Sequence, residues 1–246
     1  MSTRSEFPDG GFAFLRGVFP YSQGVVALDG FAIERARFAA PMPLASGFQF
    51  IAAYLARLGR PQTAFCACEL RSPKPFTFEG FADFNRGYVA VLEEWGLFRD
   101  GVNPVARSNV APVIDPPQEP CFHAFSYTVA RADASSTFVV AGSGEWPEGG
   151  KFPDDIAARG DPSEAGMRAK AALVLDTMER RMRGLGGFTW KNATAVQVYS
   201  GYALPVEDIV RRAGPGLQWN YCRPPIEGLD FEMDVRGLPT ELVLRS

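Results

Sequence analysis

The sequence predicts an α+β fold: two tandem copies of one small domain, each a mixed β-sheet with two helices on one face. Three observations carry this. A helix end, a glycine stop and a strand occur twice, at Leu55-Ala-Arg-Leu-Gly59 before Thr63–Leu70 and at Met182-Arg-Gly-Leu-Gly186 before Ala193–Tyr199. Downstream of each strand comes an arginine segment, Val105-Ala-Arg-Ser-Asn-Val110 and then Asn220-Tyr-Cys-Arg-Pro-Pro225. Each arginine is followed by an alternating strand, Cys121–Val129 and Leu229–Val235. Self-similarity at this spacing is the mark of a repeated unit. Residues 1–18 read as an N-terminal arm, 19–131 as the first domain and 132–246 as the second, with the junction at 131–136.

The elements follow in order. Strands at Gly24–Leu28 and Phe31–Phe38 are joined by Asp29-Gly30 as a hairpin turn. Ser46 is placed to cap a helix to Leu58, with Phe50, Ala53, Tyr54 and Leu58 at helical spacing and Gly59 as its stop. A second helix, Phe81–Trp95, carries Phe84, Tyr88, Val91 and Trp95 on one stripe. Strands at 105–113 and 121–130 close the first unit. The second opens with a strand at Thr137–Gly142, and the Gly/Pro/Asp-rich residues 145–162 form a long loop of the kind that carries function. Ser163 starts a helix to Leu185 whose buried stripe is Ala171, Leu175, Met178, Met182 and Leu185. A strand, a short helix near Pro205–Ala213 and two last strands follow.

The bulk properties exclude several classes. With 246 residues and 46% hydrophobic content the chain can bury a sizeable core. A net charge of −3 leaves no basic footprint for nucleic acid. No apolar run reaches membrane-spanning length, and the opening residues carry no apolar signal region, so a cytoplasmic location is expected. The four cysteines, Cys66, Cys68, Cys121 and Cys222, lack paired ligand spacing and read first as small core residues. The single histidine, His123, excludes a multi-histidine metal site. Trp146, Trp190 and Trp219 have core packing as their first use, with stacking on a flat ligand as the alternative.

Several segments resemble the RidA/YjgF family of imine and enamine deaminases. Pro20-Tyr-Ser-Gln-Gly24 is similar to the family's opening turn, Asn85-Arg-Gly-Tyr88 to its Asn-x-x-Tyr, and Ala106-Arg-Ser-Asn-Val110 to its Ala-Arg-Ser-x-Val strand. In the second unit Ala141-Gly-Ser-Gly144 resembles a Ser-Gly motif, Arg223 takes the arginine position, and Phe231-Glu-Met-Asp234 resembles the carboxylate-bearing last strand. The first unit has His123 where members often place a glutamate, and the second has Cys-Arg-Pro-Pro in place of Ala-Arg-Ser. Each copy keeps a different subset, which points to one working site built from both.

The resemblance implies a chorismate-mutase-like fold, a homotrimer, no metal or organic cofactor, and a small imino or enamino acid as substrate. An arginine would grip the substrate carboxylate through charge-assisted hydrogen bonds, and an acidic group would position the attacking water and shuttle its proton. Arg107 and Arg223 are the candidate anchors; an ion-pair role at the surface is the ordinary alternative for each. Glu232 and His123 compete as the catalytic group, against readings as a solvated strand residue and a packed histidine. Tyr21, Asn85, Ser143 and Cys222 are candidate pocket residues. The leading reading is a hydrolytic deaminase acting on a 2-aminomuconate-type dicarboxylate from aromatic catabolism, giving the 2-oxo acid and ammonia. The alternative is a non-catalytic carboxylate-binding protein of the same family. A ring-opening amidohydrolase needing a Ser–Lys pair ranks last, because lysines are confined to Lys74, Lys151, Lys170 and Lys191.

Overall fold

Alternation along the strands sorts the side chains into an apolar face for the helices and a polar face for a second sheet. The computed structural model describes residues 3–132 and 136–245. The strands are β1 (Arg4–Phe7), β2 (Phe12–Leu15), β3 (Gly24–Ala27), β4 (Phe31–Pro43), β5 (Phe65–Arg71), β6 (Ala106–Pro112), β7 (Cys121–Ala130), β8 (Phe138–Gly144), β9 (Ala195–Tyr199), β10 (Leu217–Asn220), β11 (Cys222–Arg223), β12 (Glu232–Gly237) and β13 (Glu241–Leu244). The helices are α1 (Leu44–Arg57), α2 (Phe78–Glu94), α3 (Glu164–Gly186) and α4 (Val206–Ala213). One sheet has the order β1-β2-β3-β8-β12-β9-β10, the other β11-β6-β5-β7-β4-β13. Both are mixed: β5–β6, β4–β13 and β9–β10 pair parallel, the rest antiparallel.

Local sequence explains the helices. Thr77 Oγ1 accepts from Gly80 N at 3.1 Å to start α2, and Ser163 Oγ accepts from Gly166 N at 3.2 Å to start α3. Gly187, at φ 75°, ends α3 in the left-handed region. All five residues of the expected α3 stripe are buried, packed with Val196, Val198, Met233 and Val235 of β9 and β12. In α1 the buried residues are Phe48, Ile51 and Leu55, so the inward face is turned from the expected one, and Pro43 rather than Ser46 stands at the cap. Among the described residues no helix is long and apolar enough to cross a membrane.

The other faces of β12, β9 and β5 carry Glu232, Asp234, Arg236, Gln197, Tyr199, Glu69 and Arg71, all buried. Arg35 of β4 grips Glu69 through two bonds of 2.6 and 2.8 Å. Arg236 reaches the same carboxylate at 3.2 Å and Glu241 at 2.9 Å. Asp234 accepts from Ser108 Oγ and Tyr199 OH, both at 2.8 Å. The layer between the sheets is therefore an ion-pair and hydrogen-bond network with apolar cores outside it.

This topology corrects the expected tandem RidA-like, chorismate-mutase-like domains. The supposed N-terminal arm holds β1 and β2, and with β3 these strands join the sheet of the second half. In return β11 and β13 join the sheet of the first half, β13 lying parallel to β4 from Glu241↔Arg35 to Leu244↔Phe38. Local motifs specify that a strand forms but not which edge receives it. Residues 133–135 of the expected junction lie outside the described residues.

Burial opposes the charge of Glu69, but Arg236 and Arg35 outweigh it and hold its carboxyl below the ordinary range. Glu69→Ala should cost about 3–5 kcal/mol in urea unfolding at neutral pH, because two buried arginines lose their counter-charge. A depressed carboxylate contributes stability above its unfolded value and loses it as pH falls. The stability gap between the wild type and Glu69→Gln should therefore narrow once pH drops below about 4.

Candidate active site

A cavity of about 440 Å³ opens between α2, residues 17–23, the end of β8, residues 146–149 and the start of β12. Arg107 of β6 forms its charged wall. The side chain is 2% exposed, yet it makes no ion pair among the described residues. Nη2 donates to Asn85 Oδ1 at 2.6 Å, and Nη1 has no partner. Four rings surround the guanidinium, Tyr88 at 4.8 Å, Tyr21 at 5.1 Å, Phe81 at 5.5 Å and Phe84 at 5.6 Å. Aromatic faces stabilise a cation but do not neutralise it. Buried charges are ordinarily paired, so an arginine without a carboxylate is a candidate to meet an anion.

Glu232 also lines the cavity. It begins β12 and is buried. Burial, then the charge of Asp234 two residues along the same face, push its carboxyl well above the usual range against the pull of Arg71 and Arg107. The pairing of β12 with β8 shifts between Met233↔Ser143 and Val235↔Val140, so Ala141 and Gly142 together span Asp234. A Cβ on Gly142 would overlap Glu232 Oε1, so this bulge position takes glycine to seat the carboxyl. Glu145 accepts from the backbone N–H of Asp230 and of Phe231, at 2.6 and 3.1 Å, and fixes the approach to Glu232. Burial raises Glu145 to about 7.

The structure brings Arg107, Glu232, Tyr21, Asn85 and Ser143 to this one cavity, drawn from both halves of the chain. Tyr21 feels the charges of Arg107, Arg181, Glu232 and Glu148, while burial raises its phenol. Three candidates lie elsewhere. Arg223 is exposed on the edge strand β11. Cys222 packs with Val110 and Tyr199, and burial raises its thiol. His123 lies on β7 outside the cavity lining, and burial and then Arg71 lower its imidazole to about 3.

Sequence reasoning missed Arg181, Glu148 and Asn109, which also line the cavity. Arg181 belongs to the buried face of α3; its Nη1 donates to Ala141 O at 2.9 Å and its Nε to Glu148 Oε1 at 3.1 Å. An arginine three residues after Met178, inside an apolar stripe, was the available signal. Lys170 is fully buried in an ion pair with Asp230 and lies outside the cavity lining. Among the described residues no three His, Cys, Asp or Glu side chains are grouped to hold a metal ion.

A family model described as 2-aminomuconate deaminase CnbZ matches residues 4–242. A 2-amino-5-chloromuconate deaminase from Comamonas testosteroni is 47% identical over 247 residues, covering 97% of this chain and 98% of that protein. A crystal structure of chorismatase resembles the fold at TM-score 0.50 and 11% identity, over 95% of this chain and 78% of that one. A cyanuric acid hydrolase from A. caulinodans aligns at TM-score 0.42 and 15% identity, over 84% and 66%. The family match overturns the expected membership of the RidA/YjgF family: the resembling segments are short, whereas the CnbZ model spans nearly the whole chain.

His123 is the only histidine, so nitrogen NMR reads it without ambiguity. Its imidazole should stay neutral from pH 8 down to about pH 4. A midpoint near 6.5 would return it to the list of bases. Carboxyl infrared difference spectra against Glu232→Gln should reveal a protonated group well above pH 4.5, and Gly142→Ala should lower that value by driving the carboxyl from its seat.

Proposed function

The chain belongs to the 2-aminomuconate deaminase CnbZ family, and from that premise we propose that it hydrolyses a 2-aminomuconate-type enamine dicarboxylate to the 2-oxo acid and ammonia. The observation that carries the reading is a buried, acid-free Arg107 sharing one cavity with a protonatable Glu232. The cavity volume of about 440 Å³ suits a small conjugated ligand.

Arg107 holds the carboxylate next to the amine-bearing carbon and orients that carbon toward Glu232. Glu232, in its acid form, protonates the enamine carbon and leaves an iminium with a carboxylate on the enzyme. The carboxylate then takes a proton from water as the water oxygen bonds to the iminium carbon. The resulting carbinolamine receives that proton on nitrogen and expels ammonia. Loss of the hydroxyl proton to Glu232 leaves the 2-oxo acid and restores the starting acid. One water is consumed, one ammonia is released, and no oxidant or reductant enters. Tyr21, Asn85 and Ser143 line the ligand space, and Asn85 sets the Arg107 guanidinium.

The test is ammonia release from freshly generated 2-aminomuconate. Glu232→Gln should lower turnover about 10²–10⁴-fold with little change in KM. Arg107→Ala should weaken transition-state binding by roughly 2–5 kcal/mol. Because the first step needs the acid form, activity should decline as pH rises through the raised Glu232 value. Ligand binding without ammonia release would identify a carboxylate-binding protein instead, and full turnover in Glu232→Gln would remove the assigned acid.

A further inference from the structure

Four buried side-chain polar atoms among the described residues have no hydrogen-bond partner: Arg107 Nη1, Asn109 Nδ2, Trp146 Nε1 and Asn220 Nδ2. The first three belong to residues that line the cavity holding Arg107 and Glu232, and all three are donors. Buried donors are costly when unpaired, and folded proteins rarely leave them so. Their concentration around a single cavity points to a ligand rich in acceptor oxygens. Trp146 Nε1 is covered by its own loop, since a Cβ on Gly150 would come within 3.2 Å of it. The other two stand two residues apart on β6, and side chains at that spacing leave a strand on the same face.

Their neighbours dispose them alike. Ser72, fully buried, donates its Oγ–H to Asn109 Oδ1 at 2.9 Å. With the amide oxygen turned to Ser72, its NH₂ is left over. Asn85 likewise occupies Arg107 Nη2 at 2.6 Å and leaves Nη1 over. Arg107 and Asn109 are 2% and 3% exposed, so neither donor is satisfied by bulk water. Asn85 takes one of the guanidinium's five N–H groups and sets its plane. Asn109 Nδ2 stands beside it as a further unpaired donor on the same face of β6.

We propose that Asn109 is a substrate-binding residue that grips, together with Arg107, the carboxylate next to the reacting carbon, Arg107 Nη1 on one oxygen and Asn109 Nδ2 on the other. The inference rests on the deaminase reading above for the identity of the ligand. Two donors on separate side chains fix the plane of the carboxylate, and with it the face of the reacting carbon presented to Glu232.

Binding of cis,cis-muconate, a dicarboxylate that lacks the amine and cannot be deaminated, tests this by calorimetry on the full chain, alongside its neutral diamide and ammonia-release kinetics. Asn109→Ala should weaken muconate about tenfold and raise KM more than it lowers kcat. Asn109→Asp puts an acceptor where a donor stood and should weaken muconate more than a hundredfold while leaving diamide binding as it was. Ser72→Ala, which only frees the amide, should cost a few-fold. If Asn109→Ala and Asn109→Asp bind muconate like the wild type while Arg107→Ala does not, Asn109 is excluded and the deaminase reading stands. If Arg107→Ala also binds normally, the anchor, and the reading built on it, falls. Should Asn109→Asp not fold, Asn109→Ala and Ser72→Ala decide: wild-type affinity in both overturns the proposal.

Discussion

Glu69 is the group on which the two sheets depend. It stands on β5 between Arg35 of β4 and Arg236 of β12, so its carboxylate is shared by both sheets. Such a cluster is not a strong source of net stability, because desolvation offsets most of the Coulomb attraction. Its effect is on register. Sliding β12 by one residue would turn Glu232, Asp234 and Arg236 into the apolar core under α3 and bring Met233 and Val235 against charges. The network therefore admits one alignment of the sheets, and Glu232 reaches the cavity only in that alignment.

The arginines divide by what answers their charge. Arg35 and Arg236 meet carboxylates of the protein and belong to the fold. Arg181 meets Glu148 and the carbonyl of Ala141, and so ties α3 and the 146–149 loop to the bulge that seats Glu232. Arg107 meets an amide oxygen and four rings. Two charged residues of opposite sign in one buried space would ordinarily collapse into an ion pair. Here burial and then the charge of Asp234 raise the Glu232 carboxyl well above its usual range, and Arg107 makes no ion pair with it among the described residues.

Much of this was legible in the sequence where the signal is local. The α3 stripe, the glycine stop at its end and the Ala106-Arg107-Ser108 strand depend on neighbours within a few residues, and Arg107, Glu232, Tyr21, Asn85 and Ser143 were all named as site candidates from such segments. The chain does turn at Asp29-Gly30, but β3 and β4 on either side enter different sheets, so the expected hairpin does not form. What failed depends on distant partners. Arg223 follows the same local pattern as Arg107. It sits, however, on a two-residue edge strand pairing with Ala111 and Pro112, and its side chain is exposed. The exchange of β1–β3 for β11 and β13 is likewise a property of which edges meet. The apparent repeat, though present in local order, misled because its two halves do not fold as separate sheets.

Gly142 shows how closely backbone and chemistry are joined at this site. A strand paired without a bulge would give β8 one residue opposite Asp234; the extra residue lets the backbone bend away and opens the space that the Glu232 carboxyl fills. The Nη1 of Arg181, 2.9 Å from Ala141 O, takes a carbonyl on that bulge. Asp234, across from it, is held by Ser108 and Tyr199 from both sheets, and its charge adds to burial in raising the Glu232 carboxyl. The carboxyl's position thus traces to an irregularity that no periodic reading of β8 contains. An arginine in a helix stripe, a glycine in a strand and an aspartate two residues from a glutamate each look ordinary alone; their chemical consequence appears only when the sheets are brought face to face.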